Sequence, residues 1–317
     1  MPPNPLVEVF GYPVGNMLPE AIAHREGRLC PYHNSSGLNC TKNSATDPLG
    51  VCTVVDGANF AITCPVRFRQ DYVIVSDAAH FFFPAGTRYL ALTEVRLNDK
   101  YGHSAGNIDI TIAALNEDNT VADFGALEVQ AVYISGNVSK AFKVYMQNPA
   151  QNYAMQWTSK SYPKPDYLSS SRKRLVPQLI YKGGILNSWG KKLAVAVQRP
   201  FFEQLPALPQ VDPAQSDLAW LVYDMTYDKL NQRYRLAATS TIYTSFKAAL
   251  AFITTAEPGN MGDFVRSLEN RIKTGKIMGA PQPSEFPPSV EPLPEILSDE
   301  PPGRRDDGDD IDTNGDN

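Results

Sequence analysis

Apolar and polar positions along this chain repeat with two periods, and the changes of period mark its elements. From Leu18 to Leu29, and again from Tyr72 to Phe83, the pattern predicts helices, the second stopping near Pro84. Arg88 to Leu97 shifts to the alternation of a strand. Strands are predicted near residues 107–115 and 121–133, joined by the polar turn Asn116-Glu117-Asp118-Asn119. Ser139 to Asn148 and Ser171 to Trp189 return to helical character, with a break expected at Pro177. Leu193 to Gln198, Leu218 to Met225 and Arg233 to Tyr243 predict three more strands, and Met261 to Ile272 a closing helix. Residues 30–64, rich in Asn, Ser, Gly and Pro, predict loop. Strands interleaved with covering helices give an α/β fold on a mixed sheet.

Composition adds two boundaries. With 43% hydrophobic residues and no apolar run of spanning length, the chain is expected to be globular, without a membrane partner. Its first residues, Met1-Pro2-Pro3-Asn4-Pro5, lack the basic and apolar regions of a secretory signal, so a cytoplasmic location is expected. The net charge of −5 conceals an asymmetry: residues 281–317 hold 11 acidic groups, 2 arginines and 8 prolines, which leaves the rest at +4. Such a tail buries too little apolar surface to offset its ordering entropy and is expected to be disordered. The mildly basic body permits phosphate binding.

The two strands around Asn116 carry carboxylates where apolar residues would be expected. Asp109 lies in Asn107-Ile108-Asp109-Ile110-Thr111-Ile112, and Glu128-Val129-Gln130 closes the second strand. Buried carboxylates are costly unless paired or bound to a cation. Mg²⁺ is commonly held by one or two carboxylates together with phosphate oxygens and water. The spacing therefore predicts a divalent-metal site for phosphodiester hydrolysis. Gln130 lies on the same strand face as Glu128, where it would orient water. Glu94, on the preceding strand, offers a third acid.

All the cysteines, Cys30, Cys40, Cys52 and Cys64, fall within the loop-rich window. Four clustered thiols in a reducing compartment predict a tetrahedral structural metal rather than disulfides. Zinc is the first choice on composition, iron is also compatible, and His33 is a substitute ligand. Directly after Cys64, Arg67, Arg69 and Gln70 are read as an extended segment able to reach base edges in the major groove. Arg172, Lys173 and Arg174, behind three serines, predict phosphate contacts at a helix start, and Lys182, Lys191 and Lys192 extend that charge.

Two short motifs lose to their contexts. Gly102-His103-Ser104-Ala105-Gly106 matches a nucleophile elbow, but a strand comes after it and every histidine precedes Ser104. Asp310-Ile311-Asp312-Thr313-Asn314-Gly315 begins like a calcium loop, yet the sequence ends before the closing glutamate.

Longer stretches carry a family likeness: residues 10–16 (FGYPVGN), 28–34 (RLCPYHN), 47–52 (DPLGVC), 61–71 (AITCPVRFRQD), 92–99 (LTEVRLND), 104–110 (SAGNIDI), 125–137 (GALEVQAVYISGN) and 166–175 (DYLSSSRKRL). Over roughly residues 6 to 255 the chain resembles the NotI-like type II restriction endonucleases of the PD-(D/E)xK nuclease superfamily. The resemblance implies a Mg²⁺-dependent enzyme that cuts both strands of DNA at a GC-rich palindrome. It also implies a cognate DNA methyltransferase in the same cell. Asp109 and Glu128 would hold Mg²⁺, Gln130 would come after them where the superfamily usually has lysine, and Glu94 would support the site. Cys30, Cys40, Cys52 and Cys64 would bind structural iron. The expected layout is an N-terminal segment with the cysteine module over residues 1–70, a nuclease core over 71–280 and the acidic tail over 281–317. A palindromic target suggests a homodimer. The alternatives are a repair or homing-type nuclease that nicks or selects structure, and a non-catalytic DNA-binding protein stabilised by its metal.

Overall fold

The computed structural model describes residues 2–275, apart from 34–36, 45 and 159–160, and also residue 279. The expected acidic tail therefore lies outside the described residues. The chain divides into two compact units, Met1–Ala256 and a second beginning at Glu257.

In the first unit, β1 (Leu6–Val9) and β2 (Tyr12–Pro13) turn back on each other, and helix α1 (Pro19–Glu26) comes next. β3 (Val51–Asp56) and β4 (Asn59–Ile62) form a hairpin that completes a four-stranded sheet in the order β2-β1-β3-β4. The loop expected over 30–64 is thus partly strand. Its apolar alternation is short, and β3 is buried through its first four residues, so a simple period-two pattern does not develop. Pro65–Tyr72 is 3₁₀ in character, with a kink at Gln70 and Asp71, and not the extended segment expected; it leads into helix α2 (Val73–Phe82).

The main sheet has six strands: β5 (Tyr89–Asn98), β6 (Ser104–Leu115) and β7 (Val121–Gln130), then, after the small pair β8 (Tyr133–Ser135) and β9 (Lys164–Asp166), β10 (Leu193–Gln198), β11 (Leu218–Asp228) and β12 (Arg233–Thr244). Its order is β12-β11-β10-β7-β6-β5. β10 runs parallel to both β7 and β11, whereas β5–β6, β6–β7 and β11–β12 are antiparallel. The expected mixed α/β sheet is therefore present. β10 is buried at all six positions, as expected for a central strand covered on both faces.

The alternation of β7 and β10 separates two apolar layers, and β6 contributes to both. Ile110, Ile112, Leu127, Val129, Ala194 and Ala196 pack with Ile74, Val75, Ala78 and Phe82 of α2. On the other face, Ile108, Ala126, Val195 and Val197 pack with Leu175, Leu179 and Leu186, and the N-terminal sheet contributes Leu6, Val9, Val51 and Val54 to the same cluster.

Leu175, Leu179 and Leu186 belong to a helical run over residues 167–188 that passes through Pro177. The expected break does not occur. Ser171–Leu175 is a π turn, in which the Val176 N–H donates to Ser171 O, and Leu179–Gly183 is a second, with the Gly184 N–H donating to Leu179 O. A proline removes one donor and crowds the preceding turn; the widened turns accommodate both. Gly183 permits close packing here, since a Cβ at that position would lie 2.5 Å from the Phe246 ring. In the second unit, Asn260 caps the helix Met261–Lys273 by accepting from the Asp263 N–H.

Candidate active site

The β6–β7 ladder pairs Ile110 with Leu127, so Asp109 and Glu128 occupy the next step, side by side on neighbouring strands. The Val129 N–H donates to Asp109 Oδ2 at 2.8 Å, fixing that carboxylate across the strand gap. Glu128 is almost fully buried, at 1% exposure. Its Oε2 accepts from Lys182 Nζ at 2.5 Å, while Oε1 has no hydrogen-bond partner among the described residues. Burial first, then the Asp109 charge, pushes Glu128 up to about 8, against the opposing pull of Lys182. Two neighbouring carboxylates, one of them buried with an oxygen that no donor reaches, form a donor set suited to a hard cation. Among the described residues, no third His, Cys, Asp or Glu joins them in a metal-holding group. Mg²⁺ would have Asp109 and Glu128 as its protein ligands here, with water and phosphate oxygens completing its shell.

Gln130 is also buried, and its Nε2 donates to Ala131 O at 2.6 Å. Glu94 lies on β5 between the Thr93–Ile110 and Val95–Ile108 pairs, and so opposite Asp109. Its φ of 56° is left-handed, a conformation that costs a non-glycine residue about 1–3 kcal/mol and tends to mark functional sites. The Glu94 side chain is exposed and stands 3.9 Å from the Arg69 guanidinium.

Lys182 is the residue that sequence reasoning left in a general basic patch. It is 3% exposed, and its Nζ also donates to Asn107 O at 2.8 Å. A signal was present: Lys182 continues the apolar stripe of Leu175, Leu179 and Leu186, so a cation occupies a core position.

A cavity of about 900 Å³ is lined by Asp109, Gln130, Lys173 and Arg174, and also by Cys30, Cys40, Cys64 and His33. The basic cluster and the carboxylate hairpin thus share one recess. Arg174 lies 5.2 Å above the Tyr133 ring, and Arg172 is exposed. Arg67 and Gln70 do not face this recess as readers of DNA. Arg67 is completely buried: its Nε and Nη2 donate to Glu8, its Nη1 to Gln70 Oε1 and its Nη2 also to Tyr234 O. The 3₁₀ turn keeps Arg67 beside Gln70 and turns Arg69 away, so the two arginines do not share a face as they would on an extended segment.

Local pairing gathers the thiols. Cys30 N donates to Leu38 O and Cys40 N to Arg28 O, which brings those two cysteines together. Thr63 N donates to Cys52 O across the β3–β4 hairpin, which does the same for Cys52 and Cys64. Cys30 interacts electrostatically with Cys64 and Cys40, and Cys52 with Cys64 and Cys30. Burial raises Cys30 to about 11, opposed by backbone N–H groups at Tyr32 and His33 that favour its thiolate. Lys42 places its ammonium beside Cys40, Cys52 and Cys64, anchored on Val51 O and Thr63. The donors are of the type a soft metal takes, but the described residues do not form a finished metal-holding group.

No helix among the described residues is long and apolar enough to cross a membrane. No curated protein matches the chain. The family model for the restriction endonuclease NotI matches residues 8–236, most of the sequence and the whole of the carboxylate hairpin with its covering helical run. The chain belongs to the NotI restriction endonuclease family.

Proposed function

We propose that this chain is a type II restriction endonuclease that cleaves both strands of DNA in a Mg²⁺-dependent reaction at a GC-rich palindrome, acting as a homodimer alongside a cognate methyltransferase. The observation that carries the catalytic part is the Asp109–Glu128 pair, with the bare buried Oε1 of Glu128 beside a second carboxylate. When bound there, Mg²⁺ supplies a Lewis acid for the phosphate and lowers the pKa of a water. The protein's own residues do the positioning. The Val129 N–H orients Asp109, and β10 backs β7 so that Glu128 is held on a buried strand. Gln130, next along that strand face, would orient the attacking water. Glu94, opposite Asp109, supports the site from β5. Lys173 and Arg174 line the same recess and would take phosphates, with Arg172 extending the positive surface. Arg69, beside Glu94, would add a further DNA contact. The four thiols are read as a structural iron site, with zinc as the alternative, that braces the two hairpins carrying them.

Plasmid cleavage in Mg²⁺ tests this reading. Discrete double-strand fragments are expected, and both Asp109→Ala and Glu128→Ala should lower the rate by about a hundredfold or more, on the scale of removing a transition-state charge stabiliser. Full activity in both variants would overturn the site. Nicked products alone would favour the nicking reading, and binding without cleavage the non-catalytic one.

A further inference from the structure

A buried ammonium is an expensive way to occupy a core position. Lys182 lies in the stripe of Leu175, Leu179 and Leu186, all buried against the sheet. Replacing a buried ion pair with apolar side chains of similar volume is often neutral or stabilising. Packing alone therefore gives no reason for lysine here. The second π turn, Leu179–Gly183, sets its direction, and Gly183 lets that turn pack closely against Phe246 and against Leu193 of β10, where a Cβ would lie 2.5 and 3.3 Å away.

Its contacts are selective. Nζ takes Glu128 Oε2 and the carbonyl of Asn107, two residues before Asp109, so it ties together the two strands that carry the carboxylates. Oε1 of Glu128 is left as the unpartnered oxygen. Hydrolysis of a phosphodiester builds negative charge, which a fixed cation stabilises better than a neutral amide. Gln130 is such an amide, and its Nε2 is already committed to Ala131 O.

We infer that Lys182 is a positioning residue of the cleavage site, delivered from the helical run to hold Glu128 by one oxygen and to supply the positive charge that the strand position at Gln130 lacks. The inference rests on the nuclease reading above. Lys182 acts through Glu128: clamping Oε2 fixes which oxygen faces Asp109. A lysine at position 130 would lie on the same strand face as Glu128 and reach the same carboxylate from another backbone position.

The test compares the full-length wild type, Lys182→Met, Gln130→Lys and the double variant. It uses single-turnover plasmid cleavage in Mg²⁺, DNA affinity in Ca²⁺ and thermal melting. Lys182→Met is expected to lose about a hundredfold in cleavage rate, the scale of one charge-stabilising group, with DNA affinity unchanged. The double variant should recover to within about tenfold of the wild type, because the charge has been returned from a new position. Wild-type cleavage by Lys182→Met overturns the inference. So does a double variant that melts like the wild type yet cleaves no faster than Lys182→Met, since the lysine would then be only structural. A wild type that cleaves no DNA overturns the nuclease reading itself, and this inference with it.

Discussion

Among the described residues, two carboxylates are buried in ion pairs, and they are treated in opposite ways. Glu8 receives Arg67 on both oxygens, together with the Thr53 hydroxyl at 2.6 Å and the Tyr32 hydroxyl at 3.4 Å, and the Arg67 guanidinium stacks 4.4 Å from the Tyr32 ring centre. Glu128 receives Lys182 on one oxygen and nothing on the other. The first pair is a completed network that ties β1 and β3 to the 3₁₀ turn. The second is left incomplete beside Asp109. Burying a charge is tolerable when every lone pair is answered. An unanswered one is therefore the better marker of chemistry than burial itself, or than the presence of a salt bridge.

The largest effect expected from breaking this contrast is at the completed pair. Arg67→Ala would leave Glu8 buried without its cation and should cost about 3–5 kcal/mol in denaturant unfolding. The folded fraction should keep its cleavage rate per molecule. A stability within experimental error of the wild type would show that the network is not structural.

A smaller effect sharpens the incomplete pair. Glu128 is raised from 4.5 to about 8 in the folded chain. Its protonated form is favoured by folding, so its contribution to stability is full below about 4.5 and is lost as pH rises through about 8. In EDTA, the melting temperature of the wild type relative to Glu128→Gln should fall across that interval. The gain on adding Mg²⁺ should grow in the same direction, since the cation competes with the proton for the same oxygens. A relative melting temperature flat with pH would refute the assignment.

The smallest effect concerns the recess. Arg174→Ala should weaken DNA binding across all sequences and reduce the salt slope of log affinity by about 1, the signature of one phosphate contact. A changed base preference with an unchanged slope would mean that Arg174 reads bases instead.

Much of this was legible from order and period. The α2 helix, the β6–β7 hairpin and the strands β10 to β12 emerge from apolar spacing, and the Asp109 and Glu128 interruptions stood out because their neighbours are apolar. The hidden parts depended on contacts distant in sequence. Arg67 looked like a surface reader because its partner Glu8 lies 59 residues away. Lys182 looked like part of a basic face because its partner is 54 residues away and its direction depends on a π turn, for which sequence periodicity has no template. β1 and β2 are too short for a period to register, and the alternation of β4 is masked by the glycine, asparagine and cysteine around it.

A π turn contains one residue more than the α turn it replaces. If one residue were deleted between Leu179 and Gly183, the turn could close to α with little rotation of the helix on either side, because a π turn and the α turn that replaces it sweep nearly the same angle. Leu175 and Leu186 would keep facing the sheet, and Lys182, inside the widened turn, would be the residue whose direction changes. A single-residue gap here should therefore spare the fold and disturb the lysine, so natural variation in length at this turn should go together with loss of the cation beside Glu128.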